Sequence, residues 1–209
     1  NLNTRGGSSG SPVFNEQGEV IGLNFAGTDT SAAAVPISYI EDALEYIRQG
    51  KTPPRFSIGA LFHTIHLGHA KDYHHYNPQE DLRTEIPGAR KRLLWVDFLL
   101  PGFQILEIGD IIEKINGKSI GPDYYVFEKE VNHSKGKPVN LTIFRNGEHL
   151  NLDVPVFDLN ASLCSKMVLF GGAVFASVDP LMSFQTGMPI GSVCLGSKDS
   201  GSLFDSLLE

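Results

Sequence analysis

A short glycine-rich segment, residues 5–12, places one serine in a tight turn directly before an extended run. It reads Arg-Gly-Gly-Ser-Ser-Gly-Ser-Pro. Gly7 permits a turn that directs backbone amides toward a reacting carbonyl oxygen, and Pro12 favours extended backbone. Residues 13–24 have the pattern of two short strands joined by a turn. Acyl-transfer chemistry needs a hydroxyl held in this way, which makes Ser9 a candidate nucleophile. Alternatively, the glycines and serines form only a structural loop.

Residues 6–27, GGSSGSPVFNEQGEVIGLNFAG, resemble the nucleophile segment of trypsin-like serine proteases of the HtrA/DegP group. The resemblance implies that Ser9 is the nucleophile and that the backbone amides of Gly7 and Ser9 form the oxyanion hole. Ser11 stands where that family has its second glycine, a change that adds only a small side chain. The resemblance also implies a substrate-lining strand beside the specificity pocket, formed by Asn24, Phe25, Ala26 and Gly27.

The catalytic set implied by this resemblance is incomplete in the chain. In that family the general-base histidine and its orienting aspartate precede the nucleophile. Only eight residues precede Ser9, and the first residue is not methionine. We therefore expect a piece of a longer protein that lacks the triad His and Asp and is inactive alone.

A helix and a linker are predicted after the protease-like segment. Ser38 and Glu41 have capping-box spacing, and Gly50 fits the C-terminal cap. Residues 51–55, Lys-Thr-Pro-Pro-Arg, predict a linker because two prolines bar both helix and central strand. The apolar stripe of the helix is Ile40, Ala43, Leu44 and Ile47.

Beyond the linker, short strand patterns alternate with turns. Residues 109–117, Gly-Asp-Ile-Ile-Glu-Lys-Ile-Asn-Gly, predict a turn, a strand and a tight Asn-Gly turn. A helix is predicted near residues 123–132. Residues 139–156 predict a hairpin around Asn146-Gly147. This order resembles a bacterial-type PDZ domain over residues 56–157.

The PDZ resemblance implies a peptide-binding groove in which an extended peptide adds a strand to a sheet edge. It assigns Ser57, Ile58, Gly59 and Ala60 to the loop that holds a peptide carboxylate. It assigns Ala60, Leu61 and Phe62 to the edge strand, and Phe127 or Val131 to the helical wall. The alternative is that these apolar residues are only core.

Five of the seven histidines fall within residues 62–76. The first three are spaced by three residues, which suits neither a strand face nor the His-Glu-x-x-His motif, and no cysteine cluster accompanies the five. We therefore expect no metal site here and interpret the segment as a long, pH-sensitive insertion beside the peptide edge. The basic triplet at residues 90–92 is typical of a solvated loop.

The tail contains one internal echo. Gly172-Ala173-Val174-Phe175 repeats the pattern of Gly59-Ala60-Leu61-Phe62, and Phe170 precedes it much as Phe56 precedes the other. The echo predicts the start of a second PDZ-like unit, with chance similarity as the alternative.

The predicted fold class is mainly β with a few helices: the C-terminal part of a trypsin-like double β-barrel followed by PDZ domain(s). The predicted domains are a protease remnant at residues 1–38, a helix and linker at 39–55, a PDZ domain at 56–157 and a possible second PDZ-like start at 158–209. The composition, 41% hydrophobic and 20% charged, is that of a globular protein.

The net charge, the apolar runs and the cysteines also limit which partners and cross-links the sequence predicts. A net charge of −7 argues against nucleic acid as the main partner, and no apolar run reaches the length of a membrane span. Cys164 and Cys194 do not make a disulfide scaffold and could pair or stay free.

The first hypothesis is a serine endopeptidase whose PDZ domain selects or tethers chain ends, with no cofactor. The resemblance implies unfolded or misfolded protein substrates, peptide C-termini at the PDZ groove, a trimer-based homo-oligomer and a periplasmic or cell-envelope location. A second hypothesis is a non-catalytic PDZ peptide-binding module. A third is an interaction protein whose groove is occupied by its own chain.

Overall fold

The computed structural model describes residues 7–27, 32–78, 92–120, 124–198 and 203. The chain divides into two compact units, residues 1–53 and 54–209. The division falls inside the predicted proline-containing linker. The described chain is built mainly from antiparallel strands with a few helices, which confirms that the fold is mainly β.

Unit 1 is a three-stranded antiparallel sheet followed by one helix. Its strands are β1 (Pro12–Phe14), β2 (Val20–Gly27) and β3 (Ala32–Pro36), in the order β1-β2-β3, and its helix is α1 (Ile37–Arg48). The turn between β1 and β2 is closed by Asn15, whose side-chain oxygen accepts from the amides of Gln17 and Glu19. This hairpin confirms the two strands predicted after the glycine-rich segment.

The two ends of α1 differ in how well the sequence predicted them. The capping box at Ser38 and Glu41 is wrong, because the helix begins directly after Pro36 and no side chain caps it. Pro36 is the N-cap in an extended conformation, so Ser38 lies two residues beyond the cap position, inside the helix. At the other end, Gly50 has a φ of +68° and its amide donates to the carbonyl of Ile47 at 2.9 Å, which confirms the predicted glycine cap.

Unit 1 leaves large apolar side chains exposed. They include Phe14, Ile21 and Phe25 from the sheet and Leu44 and Ile47 from α1. None of the residues of α1 is buried, although the helix packs beside β2 and β3. Among the described residues of unit 1, the predicted apolar stripe is therefore only partly covered.

The centre of unit 2 is an antiparallel sheet with the strand order β10-β9-β7-β6-β5. Its strands are β5 (Ala60–His66), β6 (Arg92–Leu99), β7 (Ile111–Ile115), β9 (Val139–Arg145) and β10 (Glu148–Val154). Short strand β8 (Lys118–Ser119) pairs with β7, and β4 (Phe56–Ser57) pairs with β11 (Phe157–Asp158). Strand β5 therefore lies at one end of the strand order, with β6 on one side of it.

Both predicted Asn-Gly turns are present. Asn116 and Gly117 have φ values of +50° and +78°, and Asn146 and Gly147 have values of +50° and +90°. Paired left-handed residues form the two-residue turn that matches the twist of antiparallel strands. These turns join β7 to β8 and β9 to β10.

Each face of the central sheet is covered by a helix. Helix α3 (Tyr124–His133) packs on one face over a core that includes Leu94, Ile112, Leu141 and Ile143. Helix α2 (Leu67–His74) lies against the other, where Ala70 and Tyr76 pack with Leu93, Ile111 and Phe144. The helix predicted near residues 123–132 is confirmed as α3, and residue 123 itself lies outside the described residues.

The tail forms a second small sheet and a short helix. Its strands are β12 (Met167–Phe170), β13 (Ala173–Ser177) and β14 (Val193–Lys198), in the order β12-β13-β14, and its helix is α4 (Pro180–Thr186). Gly59 and Gly172 have φ values of +75° and +79°, and each precedes a strand that starts with a buried alanine. The pairing differs, because β12 pairs with β13 whereas β4 pairs with β11. A second PDZ-like unit remains a prediction.

An ion pair joins the two most specific motifs of unit 2. Arg145 donates from Nε and Nη2 to the two carboxylate oxygens of Asp110, each at 2.7 Å. The Asp110 side chain is fully buried, and the guanidinium also contacts Glu107 at 2.8 Å. The Gly-Asp turn and the Arg-Asn-Gly hairpin are thus held together by a bidentate charge-assisted contact.

We expect Arg145→Ala to lower the free energy of unfolding of unit 2 by about 3–5 kcal/mol, because it leaves the buried Asp110 carboxylate without its cation. Denaturant unfolding monitored at Trp95 measures this. Glu107→Ala is the matched control, since it removes only the exposed outer carboxylate and should cost under about 1 kcal/mol. Equal losses in the two variants would contradict the assignment.

Candidate functional site

The segment around Ser9 forms a tight turn. The amide of Ser11 donates to the carbonyl of Ser8 at 3.1 Å, so Ser9 and Gly10 are the two central residues. Gly10 has a φ of +86°, which a glycine adopts at this position without steric cost. Ser9 is exposed and stands at the apex of the turn.

Asn24 on β2 holds this turn in place through hydrogen bonds from its side chain and its backbone. It is 6% exposed, and its side-chain amide donates to the carbonyl of Ser8 at 3.1 Å and to the hydroxyl of Ser8 at 3.2 Å. Its backbone carbonyl accepts from Gly10 at 2.7 Å, and its amide donates to Ser11 at 2.9 Å. Sequence reasoning placed Asn24 with the substrate-lining residues and missed this supporting role. The next three residues, Phe25, Ala26 and Gly27, are exposed.

The hydroxyl of Ser9 has one long contact, 3.5 Å from its Oγ to the carbonyl of Phe25. Residues 1–53 contain no histidine. Among the described residues of unit 1, no histidine or carboxylate side chain hydrogen-bonds to this hydroxyl. Gly7 has a φ of +91° and open space where a side chain would stand. The arrangement presents a hydroxyl and nearby amides without a neighbouring base in this part of the structure.

A second candidate site is a cavity of about 360 Å³ in unit 2, between β5 and α3. Every PDZ residue predicted from the sequence lines it: Ser57, Ile58, Gly59, Ala60, Leu61, Phe62, Phe127 and Val131. Ile58, Ala60, Phe127 and Val131 are also buried core residues, as the alternative interpretation expected, and their peptide-binding role stays a prediction. Of the remaining four, Gly59 is buried, Ser57 and Phe62 are half-buried, and Leu61 is exposed.

The loop that precedes β5 is held by internal hydrogen bonds. The amide of Gly59 donates to the hydroxyl of Ser57 at 3.0 Å, and the carbonyl of Gly59 accepts from the amide of Leu100 at 2.8 Å. Gly59 has a φ of +75°, and a β-carbon there would overlap the ring of Phe103. The amide that the resemblance assigns to a peptide carboxylate is therefore satisfied by Ser57 in this structure.

Three aromatic rings that line the cavity pack against one another. The ring of Phe62 lies 5.0 Å from that of Phe127 and 5.9 Å from that of Tyr124, between centroids. Burial and the neighbouring Glu128 raise the pKa of Tyr124 well above its ordinary value, so the phenol stays protonated and hydrogen-bonds to that carboxylate. Glu128 places a negative charge at the rim of an otherwise apolar groove.

Helix α4 from the tail also lines this cavity, through Pro180, Leu181 and Phe184. Sequence analysis did not assign these residues to any site. A local signal was present, because Asp179 followed by Pro180 is a typical helix start. The position of that helix depends on tertiary contacts such as the edge-to-face pair of Phe184 with Phe98, at 5.0 Å.

The histidine-rich segment forms the end of β5 and the whole of α2. His63 and His66 lie on β5, whereas His69 and His74 belong to α2. His74 packs on Trp95 with ring centroids 4.3 Å apart. Within the part of the chain that the structure describes, no group of three or more His, Cys, Asp or Glu side chains could hold a metal ion. The basic triplet lies outside the described residues except for Arg92, whose guanidinium donates to Thr64 at 2.9 Å.

We expect His74 to make unit 2 less stable in acid. Burial, and then the charges of His69 and His75, lower the pKa of His74 below its ordinary 6.5. The unfolded chain therefore binds more protons between the two pKa values, and stability falls as the pH drops through 6.5. The thermal midpoint of His74→Gln should fall less between pH 7.5 and 5 than that of the parent. His63→Gln, at an exposed position, is the control, and equal acid sensitivity of the two variants would contradict the assignment.

A buried cluster fastens the segment after α2 to the sheet. The hydroxyl of Tyr76 donates to Oε1 of Glu113 at 2.8 Å, and Nδ1 of His149 lies 2.8 Å from Oε2. Nε2 of His149 lies 3.0 Å from the carbonyl of Asn77, which can only accept, so this nitrogen carries a proton.

Comparison with known proteins matches this chain to serine proteases by sequence. The family model described as Peptidase S7, Flavivirus NS3 serine protease, matches residues 1–39. The pro-apoptotic serine protease NMA111 of Pyricularia oryzae is 29% identical over 203 residues, which is 91% of this chain and 19% of that protein. A probable periplasmic serine endoprotease, DegP-like, of Halomonas elongata is 28% identical over 162 residues, 73% of this chain and 31% of that protein. This chain is similar to HtrA/DegP-like serine proteases.

The similarity to HtrA/DegP-like proteases confirms the resemblance drawn from the residues. The solved structure of the HtrA-type protease AlgW with decapeptide matches with a TM-score of 0.42 and 18% identity, over 68% of this chain and 42% of that one. The chain spans 19% and 31% of the length of the two relatives. None of the described helices is long and apolar enough to cross a membrane.

Proposed function

We propose that this chain is the part of an HtrA-like serine endopeptidase that carries the nucleophile, Ser9, and a peptide-binding unit. The observation that carries this proposal is the exposed Ser9 hydroxyl at the apex of a turn fixed by the buried side chain of Asn24. The match to a serine protease over 91% of the chain supports it.

The proposed reaction is acyl transfer to water. Oγ of Ser9 attacks a peptide carbonyl carbon, and a histidine from outside residues 1–53 accepts the hydroxyl proton. The amides of Gly7 and Ser9 donate to the oxyanion that forms. The proton passes to the leaving amine as the peptide C–N bond breaks, and water then hydrolyses the acyl-enzyme.

The proposed binding unit is a PDZ domain at residues 56–157, after a protease part at 1–38 and a helix and linker at 39–55. A peptide would add a strand to the open edge of β5, with its terminal carboxylate at residues 57–60 and an apolar side chain in the cavity. The position of β5 at the end of the strand order supports this mode. The segment 158–209 would begin a second PDZ-like unit.

The proposed substrates are unfolded or misfolded proteins, and the proposed assembly is a trimer-based homo-oligomer. Both come from the family resemblance. A periplasmic or envelope location is proposed from the relative of Halomonas elongata, whose name contains the word periplasmic. Fungal relatives of the same family carry no such word in their names.

A second candidate is a non-catalytic peptide-binding module. It is supported by the apolar cavity between β5 and α3, which requires no catalytic group. A third candidate, an interaction protein whose groove is filled by its own chain, draws on the presence of α4 beside the cavity.

A serine-directed phosphonate probe tests the catalytic proposal on the full-length protein from its natural source. We expect one adduct, at Ser9, that is retained in Ser8→Ala and Ser11→Ala. Absence of labelling in an intact, folded protein would reject the peptidase and favour the binding module. Labelling of residues 1–209 alone would show that a base is present inside this chain.

A further inference from the structure

Helix α4 lines the groove between β5 and α3 as a third element. Pro180, Leu181 and Phe184 line the same cavity as the edge strand and the helical wall. These three side chains come from the segment that follows the predicted PDZ domain. The groove in this chain therefore has three walls, and the third one is supplied by the tail.

The exposure of the apolar side chains of α4 decides between two roles of this helix: a plug that fills the groove, and a wall that leaves it open. A helix that plugged the groove would bury its apolar side chains in the cavity. Leu181 is instead 63% exposed and Phe184 47% exposed, and about 360 Å³ remains open between them and the groove. We propose that α4 is the outer wall of the peptide groove and that Leu181 and Phe184 contact the apolar side chains of the bound peptide. This inference rests on the proposed peptide-binding function.

The wall is held in place before any peptide arrives. Asp179 caps α4 by accepting from the amide of Met182 at 2.8 Å. Ser183 is fully buried, and its hydroxyl donates to the carbonyl of Met188 at 2.6 Å. Phe184 packs edge-to-face on Phe98 of β6, the strand next to β5. A pre-ordered wall loses little conformational entropy on binding, so its contacts contribute more fully to affinity.

The chemistry of the three walls defines the partner. Aromatic and aliphatic side chains on every wall favour an extended peptide with bulky apolar residues near its terminal carboxylate. Glu128 lies among these lining residues and repels an acidic side chain at that position. The preferred ligand is therefore a peptide C-terminus that combines bulky apolar residues with neutral or basic neighbours.

Fluorescently labelled decapeptides ending in Leu, Val, Phe or Ala, titrated with the full chain, measure this preference. We expect the double variant Leu181→Ala, Phe184→Ala to bind the bulky-ended peptides at least about tenfold more weakly, since two apolar contacts are lost. Gln185→Ala, on an exposed position of the same helix, should bind as the parent does. Equal thermal midpoints of the three proteins show that the fold is retained.

Photo-crosslinking on the parent protein gives a second readout that needs no substitution. A decapeptide with benzoylphenylalanine near its C-terminus should form adducts on α4 as well as on β5 or α3. Adducts on β5 and α3 only, with unchanged affinity in the double variant, would show that α4 is not a wall of the groove. The proposed peptide-binding function would then still stand. Tighter binding by the double variant would show that α4 is a plug. If the parent binds none of the peptides and forms no adduct, the binding function fails and the wall fails with it.

Discussion

Replacement of Ser9 by alanine in the full-length protein is expected to lower kcat for cleavage of an unfolded protein by at least about 10³-fold. In the proposed reaction the substitution removes the oxygen atom that forms the acyl bond. It should leave folding nearly unchanged, because Ser9 is exposed and, among the described residues, its hydroxyl contacts only the carbonyl of Phe25, at 3.5 Å. Cleavage of a fluorescein-labelled unfolded casein, followed over time, measures the effect.

Two neighbouring serines provide matched controls for this prediction. Ser11→Ala removes an exposed hydroxyl two residues away and should leave kcat within about twofold, since its backbone carries the contacts of the turn. Ser8→Ala removes one acceptor of Asn24 but keeps the carbonyl contact at 3.1 Å. Retention of activity in the Ser9 variant, with loss in either control, would move the nucleophile away from Ser9.

Gly59→Ala is expected to destabilise unit 2 by about 2–5 kcal/mol. A φ of +75° costs an alanine about 1–2 kcal/mol, and overlap with a packed ring adds about 1–3 kcal/mol. The ring in question, Phe103, cannot retreat freely because it packs on Phe157 with centroids 4.8 Å apart. Denaturant unfolding and peptide titration of the same protein measure both consequences, and we expect peptide affinity to fall as well.

Gly102→Ala separates the two causes of this effect. Gly102 has a φ of +92°, yet nothing lies within 4 Å of an added β-carbon. It should cost only the backbone strain, about 1–2 kcal/mol. A loss at Gly59 no greater than at Gly102 would show that Phe103 yields without cost.

Local patterns predicted the elements whose structure is decided within a few residues. Both Asn-Gly turns adopt paired left-handed conformations, as their composition indicated. Gly50 ends α1 for the same reason, because only glycine adopts that conformation without steric cost. The sequence also predicted residues of the cavity lining, because residues 57–62 form one continuous loop and strand start.

Features that depend on distant contacts were harder to predict. The buried orientation of Asn24 depends on a turn more than ten residues earlier in the chain. The sequence predicted Ser38 as the helix cap, but the helix begins directly after the extended Pro36. The position of α4 depends on Phe98, which lies far away in sequence. The histidine-rich segment packs as a helix because Ala70 and Tyr76 are drawn onto the second face of the sheet.

The hydrogen bond from the amide of Gly59 to the hydroxyl of Ser57 has a consequence for how long a ligand stays bound. A carboxylate that takes this amide exchanges one partner for another, so the net gain is smaller than for an unoccupied donor. The hydroxyl then re-forms its own bond as the ligand leaves, which lowers the barrier to dissociation. The residence time of a peptide carboxylate at this loop is therefore expected to be short.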